Sequence, residues 1–381
     1  MAKFLLVTGD FVYPTNHGGR VDVWNRILTI HKMGEYIHLI CTVKKYPKQE
    51  YINIVNNKVD KLTIIQRKNN LFDMICKRPL QMTSRKKLKE IDLNDEYEYL
   101  ILEGTYVYDI LDNPKLNAKK KIIRMHNDET IYFYGLGKST RNIFKKIYFY
   151  IESLKFRFNE KSLIRRLGNI MFISYDEMCK YKKKYPYIKE CFLPTAVNFD
   201  FKTRDMNSNN VLIIGALFMD NNKEGIKRYI KTVHPLLNDV LGYKLIIAGN
   251  TLEQGIEWLE KITVKYRNIE LYDSPKNLEF LYKKAAVFVN PMINGAGVKL
   301  KTINAIVQGL PVVSTTVGNQ GTGLIDKKDI FIADKADDMA KYIKNILKNK
   351  DVGREIVKSG QEFIKNNYNQ KKILREYLDE L

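Results

Sequence analysis

The chain has 381 residues, of which 45% are hydrophobic, and this length is too great for one ordinary domain and comfortable for two. Its formal net charge of +21 favours a polyanionic partner, but no nucleic-acid-binding module is recognisable, so we expect no nucleic acid as partner. No apolar run approaches the ~20 residues of a membrane-spanning helix. The 4 cysteines have no metal or redox spacing, and the expected environment is the reducing cytoplasm.

The chain begins with an apolar run, Lys3–Thr8, that predicts a buried strand rather than a signal peptide. The loop after it ends in the pair Gly18-Gly19, and an apolar stripe then predicts a helix that ends at Gly34. A second strand, Tyr36–Val43, completes a βαβ unit. The unit lacks G-x-G-x-x-G, which argues against a dehydrogenase.

Three further segments of the N-terminal half have the composition of buried strands: Lys61–Gln66, residues 99–102 and residues 121–125. Between the first two, the basic residues 71–89 predict a helix with a break at Pro79. Alternation of strands and helices indicates an α/β fold with a parallel sheet.

Polar side chains directly follow two of these strands. Glu103 follows the strand at 99–102, and His126 and Glu129 follow the strand at 121–125. Ligands of parallel sheets bind at the carboxyl ends of strands, so these residues are candidates for a site. Two simpler roles stay open: Glu103 as a helix cap, and His126 as a structural histidine.

Residues 138–166 carry nine basic residues against two acidic ones. Apolar residues recur there at helical spacing: Ile143, Ile147, Ile151, Leu154 and Phe158. The pattern predicts a basic amphipathic helix. Such a helix either lies on an anionic membrane surface or packs on the N-terminal domain with its basic face in water.

The polar run 202–210 is the best linker candidate. It separates an N-terminal domain, 1–200, from a C-terminal domain, 201–360, and the last segment, 361–381, is predicted to be helical. The second domain opens with a strand that ends at Gly215, where a ligand could approach the backbone closely. Strand–helix alternation continues after it.

The most informative stretch spans 286–323, AVFVNPMINGAGVKLKTINAIVQGLPVVSTTVGNQGTG. It reads as strand, glycine loop, helix, strand and glycine loop, which favours an anion site at a helix start. Lys299 and Lys301 add positive charge beside it. On a regular helix they diverge by roughly 200°, so both reach one ligand only if the helix begins later or one reaches back. A unit with solvated lysines and turn glycines is the open alternative.

The segment GAGVKLKTINAIVQGLPVV resembles the donor-nucleotide region of GT-B glycosyltransferases, specifically the family-4 retaining type. Lys299 and Lys301 fall on its two basic positions, and Asn304 falls where the family has a glutamate that holds the ribose hydroxyls. The family's earlier glutamate is missing, with Ala296 near its place. The resemblance implies this donor-binding set: Gly18, Gly19, Gly215, Gly295, Gly297, Lys299, Lys301, Asn304 and Gly321. Asp273 and Pro275 resemble the loop that lines the nucleotide base.

RMHNDET is similar to the strand and His-Asn-x-Glu of polysaccharide-assembling members. The implied catalytic residues are His126, which touches the transferred sugar, and Glu129, which orders the loop or meets the acceptor. The implied fold is α/β, with two Rossmann-like domains facing across a cleft and a C-terminal helix crossing back to the N-domain. In the family, the loop that Gly18-Gly19 matches lies near the donor phosphates, although a simple turn remains an alternative.

The resulting prediction is a glycosyltransferase that moves a sugar from a nucleotide-sugar donor to a glycan or lipid-linked acceptor. The resemblance implies retention of configuration and a role in surface polysaccharide assembly. No metal or other cofactor is expected, because the two lysines would stabilise the leaving diphosphate and the sequence shows no clear carboxylate pair for a metal. The expected location is the cytoplasm or the inner face of the cytoplasmic membrane. Because Asn304 and Ala296 replace the family glutamates, a non-catalytic GT-B subunit that stabilises a partner transferase is the main alternative. A nucleotide-sugar epimerase is a weaker one.

Overall fold

The computed structural model describes residues 1–15, 18–68, 76–140, 142–252, 254–295 and 297–381. The chain divides into two compact units. Unit 1 comprises Met1–Ala196 and Asn369–Leu381, and unit 2 comprises Val197–Tyr368. Ala296, which matches a family glutamate position, lies outside the described residues, as does the first part of the helix predicted at 71–89.

In the described part of unit 1, seven parallel strands form one sheet in the order β3-β2-β1-β4-β5-β6-β7. The strands are β1 Lys3–Thr8, β2 Tyr36–Val43, β3 Lys61–Gln66, β4 Glu96–Glu103, β5 Asn117–Met125, β6 Asn169–Phe172 and β7 Lys189–Phe192. This is the doubly wound order, in which the chain reverses direction across the sheet between β1 and β4. The reversal leaves a crevice at the carboxyl ends of β1 and β4.

The α-helices that precede β7 in the described part of unit 1 are α1 Gly18–Lys32, α2 Gln49–Asn56, α3 Leu80–Thr83, α4 Glu129–Ser139, α5 Ile143–Leu167 and α6 Tyr175–Lys184. Short 3₁₀ helices span Lys86–Lys89 and Thr105–Asp112. These bounds refer to the described residues.

The helix predicted at 71–89, with its break at Pro79, is confirmed only in part over its described residues. Residues 76–79 are not helical, and Pro79 is followed by a helix of only 4 residues and a 3₁₀ helix. Proline disfavours a helical residue before it, and the freed Leu80 N–H donates to the buried Glu152 carboxylate at 2.7 Å. The basic amphipathic helix predicted within 138–166 is confirmed as α5, and it begins at Ile143 because the Asn142 side chain caps its start by accepting from the Lys145 N–H.

In the described part of unit 2, six parallel strands form a sheet in the order β10-β9-β8-β11-β12-β13. The strands are β8 Asn210–Ile214, β9 Lys244–Gly249, β10 Ile269–Asp273, β11 Val287–Asn290, β12 Val312–Ser314 and β13 Phe331–Ile332. The helices are α7 Asp220–Thr232, α8 Glu257–Thr263, α9 Glu279–Lys284, α10 Leu300–Val307, α11 Thr316–Asn319, α12 Ala336–Lys348 and α13 Lys350–Asn367, with a 3₁₀ turn at His234–Leu237.

The last helix, α14 Gln370–Asp379, returns to unit 1. Its buried Leu374, Tyr377 and Leu378 join the core on the α1 side of the first sheet. The Tyr377 hydroxyl also donates to the Lys189 carbonyl at 2.9 Å. Among the described residues, no helix combines the length and the apolar composition needed to cross a bilayer.

Candidate active site

Unit 1 has a cavity of about 430 Å³ at the carboxyl ends of β1, β4 and β5. Its wall includes Gly19, His126 and Glu129 from the predicted site and the lower-ranked candidate Glu103. The parallel register explains this convergence, since Thr8 pairs with Glu103 across the central strands. Residues that follow neighbouring strands thus share one edge of the sheet.

Behind His126 lies a group of four buried ionised side chains, here called the buried charged cluster: Asp22, Arg26, Glu103 and Arg124. Arg26 contacts Glu103 and Asp22, each at 2.5 Å. Arg124 makes two parallel bonds of 3.0 Å to the Asp22 carboxylate. The cluster therefore contains two positive and two negative charges that neutralise one another.

The cluster also holds the His126 ring. Nε2 lies 3.2 Å from a Glu103 oxygen, and Nδ1 lies 3.6 Å from an Asp22 oxygen. Burial alone would raise the pKa of Asp22, but Arg124 and Arg26 hold it well below its usual range. Burial would likewise raise the pKa of Glu103, but Arg26 and His126 together outweigh burial and lower it. Both carboxylates stay ionised and fix the orientation of the imidazole.

Asp22, Glu103 and His126 bring one ligand atom each within 4.8 Å of one another, which is close enough to be tested as a metal site. The arginine contacts argue against a cation there. Arg26 and Arg124 already occupy the carboxylate oxygens, and a metal would sit beside two guanidinium charges. The chemistry of the cluster fits positioning of His126 better than metal binding.

Glu129 is the first residue of α4 and lies on the cavity wall. The Tyr106 hydroxyl donates to its carboxylate at 2.7 Å. Burial raises the pKa of Glu129 to about 7, although the Tyr106 hydrogen bond opposes this shift. A carboxyl group with this pKa can accept or release a proton near neutral pH.

Unit 2 has a cavity of about 480 Å³ at the carboxyl ends of β8 and β9. Gly215, Lys299, Lys301 and Pro275 line it, together with Asn222. Helix α10 begins only at Leu300, and Lys299 precedes it with a non-helical backbone, φ −93° and ψ 72°. The late helix start explains why two lysines that would diverge on a regular helix share one cavity.

Both lysines are largely removed from water. Lys299 is 5% exposed and donates to the carbonyl oxygens of Gly295 and Gly297. Lys301 donates to the Asn222 side-chain oxygen at 2.7 Å. Burial lowers the pKa of Lys299 to about 8. Burial, reinforced by the charge of Lys299, lowers the pKa of Lys301 to about 7. An anion in this cavity would stabilise both ammonium groups.

Two glycines allow the backbone to form this cavity. A Cβ atom at Gly249 would lie 1.6 Å from the Gly215 carbonyl oxygen, so only glycine permits the close approach of β8 and β9 there. Gly295 has a φ of +115°, in the region that favours glycine, and a Cβ atom would clash with Asn221. The loop thus turns its carbonyl groups back onto Lys299.

Comparison with known proteins gives the family. A sequence profile described as "Glycosyl transferases group 1" matches residues 208–349. A Klebsiella pneumoniae protein, described as an uncharacterized 44.6 kDa protein in the cps region, is 37% identical over 391 aligned positions that cover 100% of both chains.

The chain belongs to the group 1 glycosyltransferases. Solved structures give the same fold. Sucrose-phosphate synthase from Thermosynechococcus elongatus has a TM-score of 0.65 at 14% identity and covers 99% of this chain and 97% of its own. Anabaena HepE, in a complex with UDP and glucose, has a TM-score of 0.62 at 10% identity and covers 100% of each chain. The predicted α/β fold of two Rossmann-like domains, GT-B, is confirmed.

The remaining predicted residues of this glycosyltransferase lie outside the described walls of the two cavities. Gly18 starts α1, and Asn304 is exposed on α10. Gly297 has a φ of +80° and forms the loop beside Lys299. Gly321 is buried with a φ of +79°, as a turn requires.

Sequence reasoning missed several residues of the two cavities in this glycosyltransferase. Asn222 binds Lys301, and Arg67 and Arg85 line the unit 1 cavity. A partial signal exists for the buried charged cluster, because Asp22 and Arg26 are four residues apart on α1 and can pair on one face. Nothing in the local sequence indicates the partners from other elements.

Proposed function

We propose that this glycosyltransferase moves a sugar from a nucleotide-sugar donor in unit 2 to an acceptor hydroxyl in unit 1. The observation that carries the proposal is the placement of Lys299 and Lys301 on one cavity wall, beside the closely packed backbone at Gly215 and Gly249. Such a wall suits the diphosphate of a nucleotide-sugar. HepE, a structural neighbour, is a complex with UDP and glucose.

The lysines account for the chemistry of the leaving group. When the sugar departs, negative charge grows on the diphosphate, and an ammonium group in a desolvated site stabilises that charge strongly. Because the pKa of Lys301 is about 7, this side chain is only partly protonated at neutral pH, and a bound anion would favour its charged form. The proposal requires no metal. Retention of configuration rests on the family resemblance alone, and the anomeric configuration of the product, read by NMR, tests it.

On the acceptor side, His126 meets the transferred sugar and Glu129 meets the acceptor. Asp22 and Glu103 hold the two ring nitrogens from behind, and the imidazole forms part of the cavity wall, where it would contact the transferred sugar. The pKa of Glu129, about 7, suits a group that handles the acceptor proton or orients its hydroxyl. The acceptor class follows from the family: a glycan or a lipid-linked sugar of a surface polysaccharide.

Calorimetric titration with UDP, GDP and dTDP tests the donor site. We expect one nucleotide to bind, and Lys299→Ala to abolish binding with the fold intact. Lys358→Ala, an exposed lysine on α13 of the same unit, is the matched control and should bind like the parent. If the folded parent binds none of these nucleotides or their sugar conjugates, the donor proposal is wrong and the non-catalytic subunit becomes the better hypothesis.

We further propose that helix α5 places unit 1 on an anionic lipid surface. Six large apolar side chains of α5 are exposed: Ile143, Phe144, Ile147, Ile151, Leu154 and Phe158. They fall within about 100° of the helix circumference. The side that packs on the core, with Phe156, Leu163 and Ile164, lies opposite. A helix that is apolar on two opposite faces needs a second apolar environment.

The charges beside this stripe favour a membrane over a protein partner. Arg157, Lys161 and Arg165 are exposed on α5 and form no ion pair among the described residues. Each such charge near an anionic membrane contributes about 1 kcal/mol. Tyr134 of α4 extends the apolar surface, since its ring lies 5.5 Å from the Tyr150 ring.

Vesicle flotation tests this surface. We expect binding to vesicles that contain an anionic phospholipid and little binding to pure phosphatidylcholine. The double change Phe144→Ser and Phe158→Ser, at side chains 80% and 79% exposed, should abolish binding. Leu241→Ser in unit 2, at a side chain 93% exposed, is the control. Equal binding by the double variant and the parent, or equal binding to neutral vesicles, would contradict the proposal.

A further inference from the structure

The unit 1 cavity contains two guanidinium groups that the glycosyl-transfer proposal does not use, Arg67 and Arg85. They are called the guanidinium pair below. The residues come from different elements: Arg67 follows β3, and Arg85 lies between α3 and the 3₁₀ helix Lys86–Lys89. They share the cavity wall with His126 and Glu129.

Arg85 is a buried charge that forms no ion pair with a carboxylate of the described residues. It is 3% exposed, and its hydrogen-bond acceptors are all neutral. Nε donates to the Thr42 hydroxyl at 2.9 Å, Nη1 donates to the Gln81 carbonyl at 2.5 Å, and Nη2 donates to the Gly9 carbonyl at 2.7 Å. Burial, together with the positive charge of Arg67, lowers the pKa of Arg85 to about 10, although Tyr106 and Asp10 oppose this shift.

Arg67 is half-buried and also lacks an ionic partner among the described residues. Its Nε is buried without a hydrogen-bond partner, and its Nη1 makes only a long contact, 3.4 Å, to the Gln81 side chain. In the described part of the chain, neither member of the guanidinium pair forms an ion pair. Two like charges at one cavity wall repel each other, and charges buried in proteins are normally paired.

The other arginines near this cavity are paired with carboxylates, as is usual for an arginine with a structural role. Arg20 lies 2.6 Å from Asp10, and Arg26 and Arg124 are neutralised within the buried charged cluster. The guanidinium pair stands apart from these. Its planar forks match the oxygens of a phosphate or carboxylate, which can accept two parallel bonds.

Tyr106 contacts both Arg85 of the guanidinium pair and Glu129. The Arg85 guanidinium carbon lies 5.4 Å from the centre of the Tyr106 ring, and the Tyr106 hydroxyl donates to Glu129 at 2.7 Å. An anion bound to the guanidinium pair would therefore be separated by the Tyr106 ring from the Glu129 carboxylate, which is proposed to meet the acceptor hydroxyl.

We infer that the acceptor carries an anionic group, a phosphate, diphosphate or carboxylate, that binds Arg67 and Arg85 while its hydroxyl lies at His126 and Glu129. This inference rests on the proposed function. It adds that the acceptor is recognised by charge, at a defined distance from its reacting hydroxyl. A neutral glycan would leave the guanidinium pair without a counter-charge.

The test uses the full-length chain with Lys301→Met, which silences the donor cavity, and Trp258→Phe, which leaves Trp24 as the single tryptophan and reports on unit 1. The thermal midpoint of the Trp24 signal is measured with pyrophosphate and with glucuronate, at constant ionic strength. A ligand that binds the folded unit raises this midpoint. Stronger stabilisation by pyrophosphate indicates a phosphate-bearing acceptor, and stronger stabilisation by glucuronate indicates an acidic sugar.

Arg67→Gln should weaken anion binding at least about tenfold, and Arg67→Lys should retain part of it because the charge remains without the fork. Arg375→Gln, at an exposed arginine of α14, removes the same charge elsewhere in unit 1 and should change nothing. The inference is overturned if neither anion raises the midpoint at about 10 mM, or if Arg67→Gln and Arg375→Gln respond alike. Nucleotide binding by the parent chain is a separate readout, so failure of the donor proposal remains distinguishable.

Discussion

The buried charged cluster of unit 1 and the lysine wall of the unit 2 cavity treat charge in opposite ways. Behind His126, two carboxylates and two guanidinium groups are buried together and neutralise one another. In unit 2, Lys301 is desolvated against the neutral side chain of Asn222, and its pKa falls to about 7. The first arrangement is balanced in charge without a ligand. In the second, Lys301 lies against a neutral side chain, and an anion in the cavity would compensate its charge.

This difference separates residues that build a site from residues that bind its ligand. A balanced buried cluster gives rigidity, and removal of one member leaves an uncompensated charge. A buried cation without a counter-charge lowers the stability of the free protein, and a bound anion compensates for this loss in the complex. By this criterion we expect the buried charged cluster to position His126, and we expect Lys299, Lys301 and the guanidinium pair to bind ligands.

The largest expected effect is on the buried charged cluster. Asp22→Asn should lower the stability of unit 1 by about 3–5 kcal/mol, because Arg26 and Arg124 lose their shared carboxylate. Urea unfolding of a Trp258→Phe background, followed by Trp24, measures this. Asp92→Asn, at an exposed ion pair with Lys115, should have no measurable effect. Equal effects of the two changes would mean that the cluster is not structural.

The next effect is on the donor cavity. Lys301→Met should weaken nucleotide binding about 100-fold or more, since it removes a charge that faces the diphosphate. The same change should leave the stability of unit 2 unchanged or increased, because methionine buries without the cost of a desolvated ammonium group. Trp258 emission reports that stability. A large loss of stability would instead assign Lys301 a structural role.

Nucleotide affinity should fall at least about tenfold between pH 7 and pH 9. The lysine pKa values of about 8 and 7 mean that the free protein loses both ammonium charges over this range, while the bound anion favours the charged forms. Proton uptake on binding should accompany this, seen as buffer-dependent heat in calorimetry. An affinity that stays constant over this range would show that protonation of the two lysines does not contribute to nucleotide binding.

The smallest effect concerns Glu129. Its raised pKa, about 7, means that the folded state favours the protonated form, so its contribution to stability is full below the unfolded pKa near 4.5 and is lost as pH rises through 7. Glu129→Gln should therefore stabilise unit 1 by roughly 1 kcal/mol more at pH 7.5 than at pH 6. A difference that does not depend on pH would place the carboxylate in contact with solvent.

Much of the site could be predicted because its residues follow strands. Glu103, His126 and Gly215 each come directly after a predicted strand, and parallel strands bring such positions to one edge. The lysines could be identified by their spacing from two glycines. Arg67, Arg85 and Asn222 could not be identified, because their partners are distant in sequence and their own neighbours carry no pattern.

The sequence by itself determined the alternation of strands and helices, hence two parallel sheets, because apolar periodicity and glycine positions are local properties. It also determined that Lys299 and Lys301 sit beside a glycine loop. Only the tertiary structure decided that α10 starts at Leu300, which directs both lysines into one cavity. It also decided which charges are neutralised, because ion pairing depends on distances between elements that are far apart along the chain.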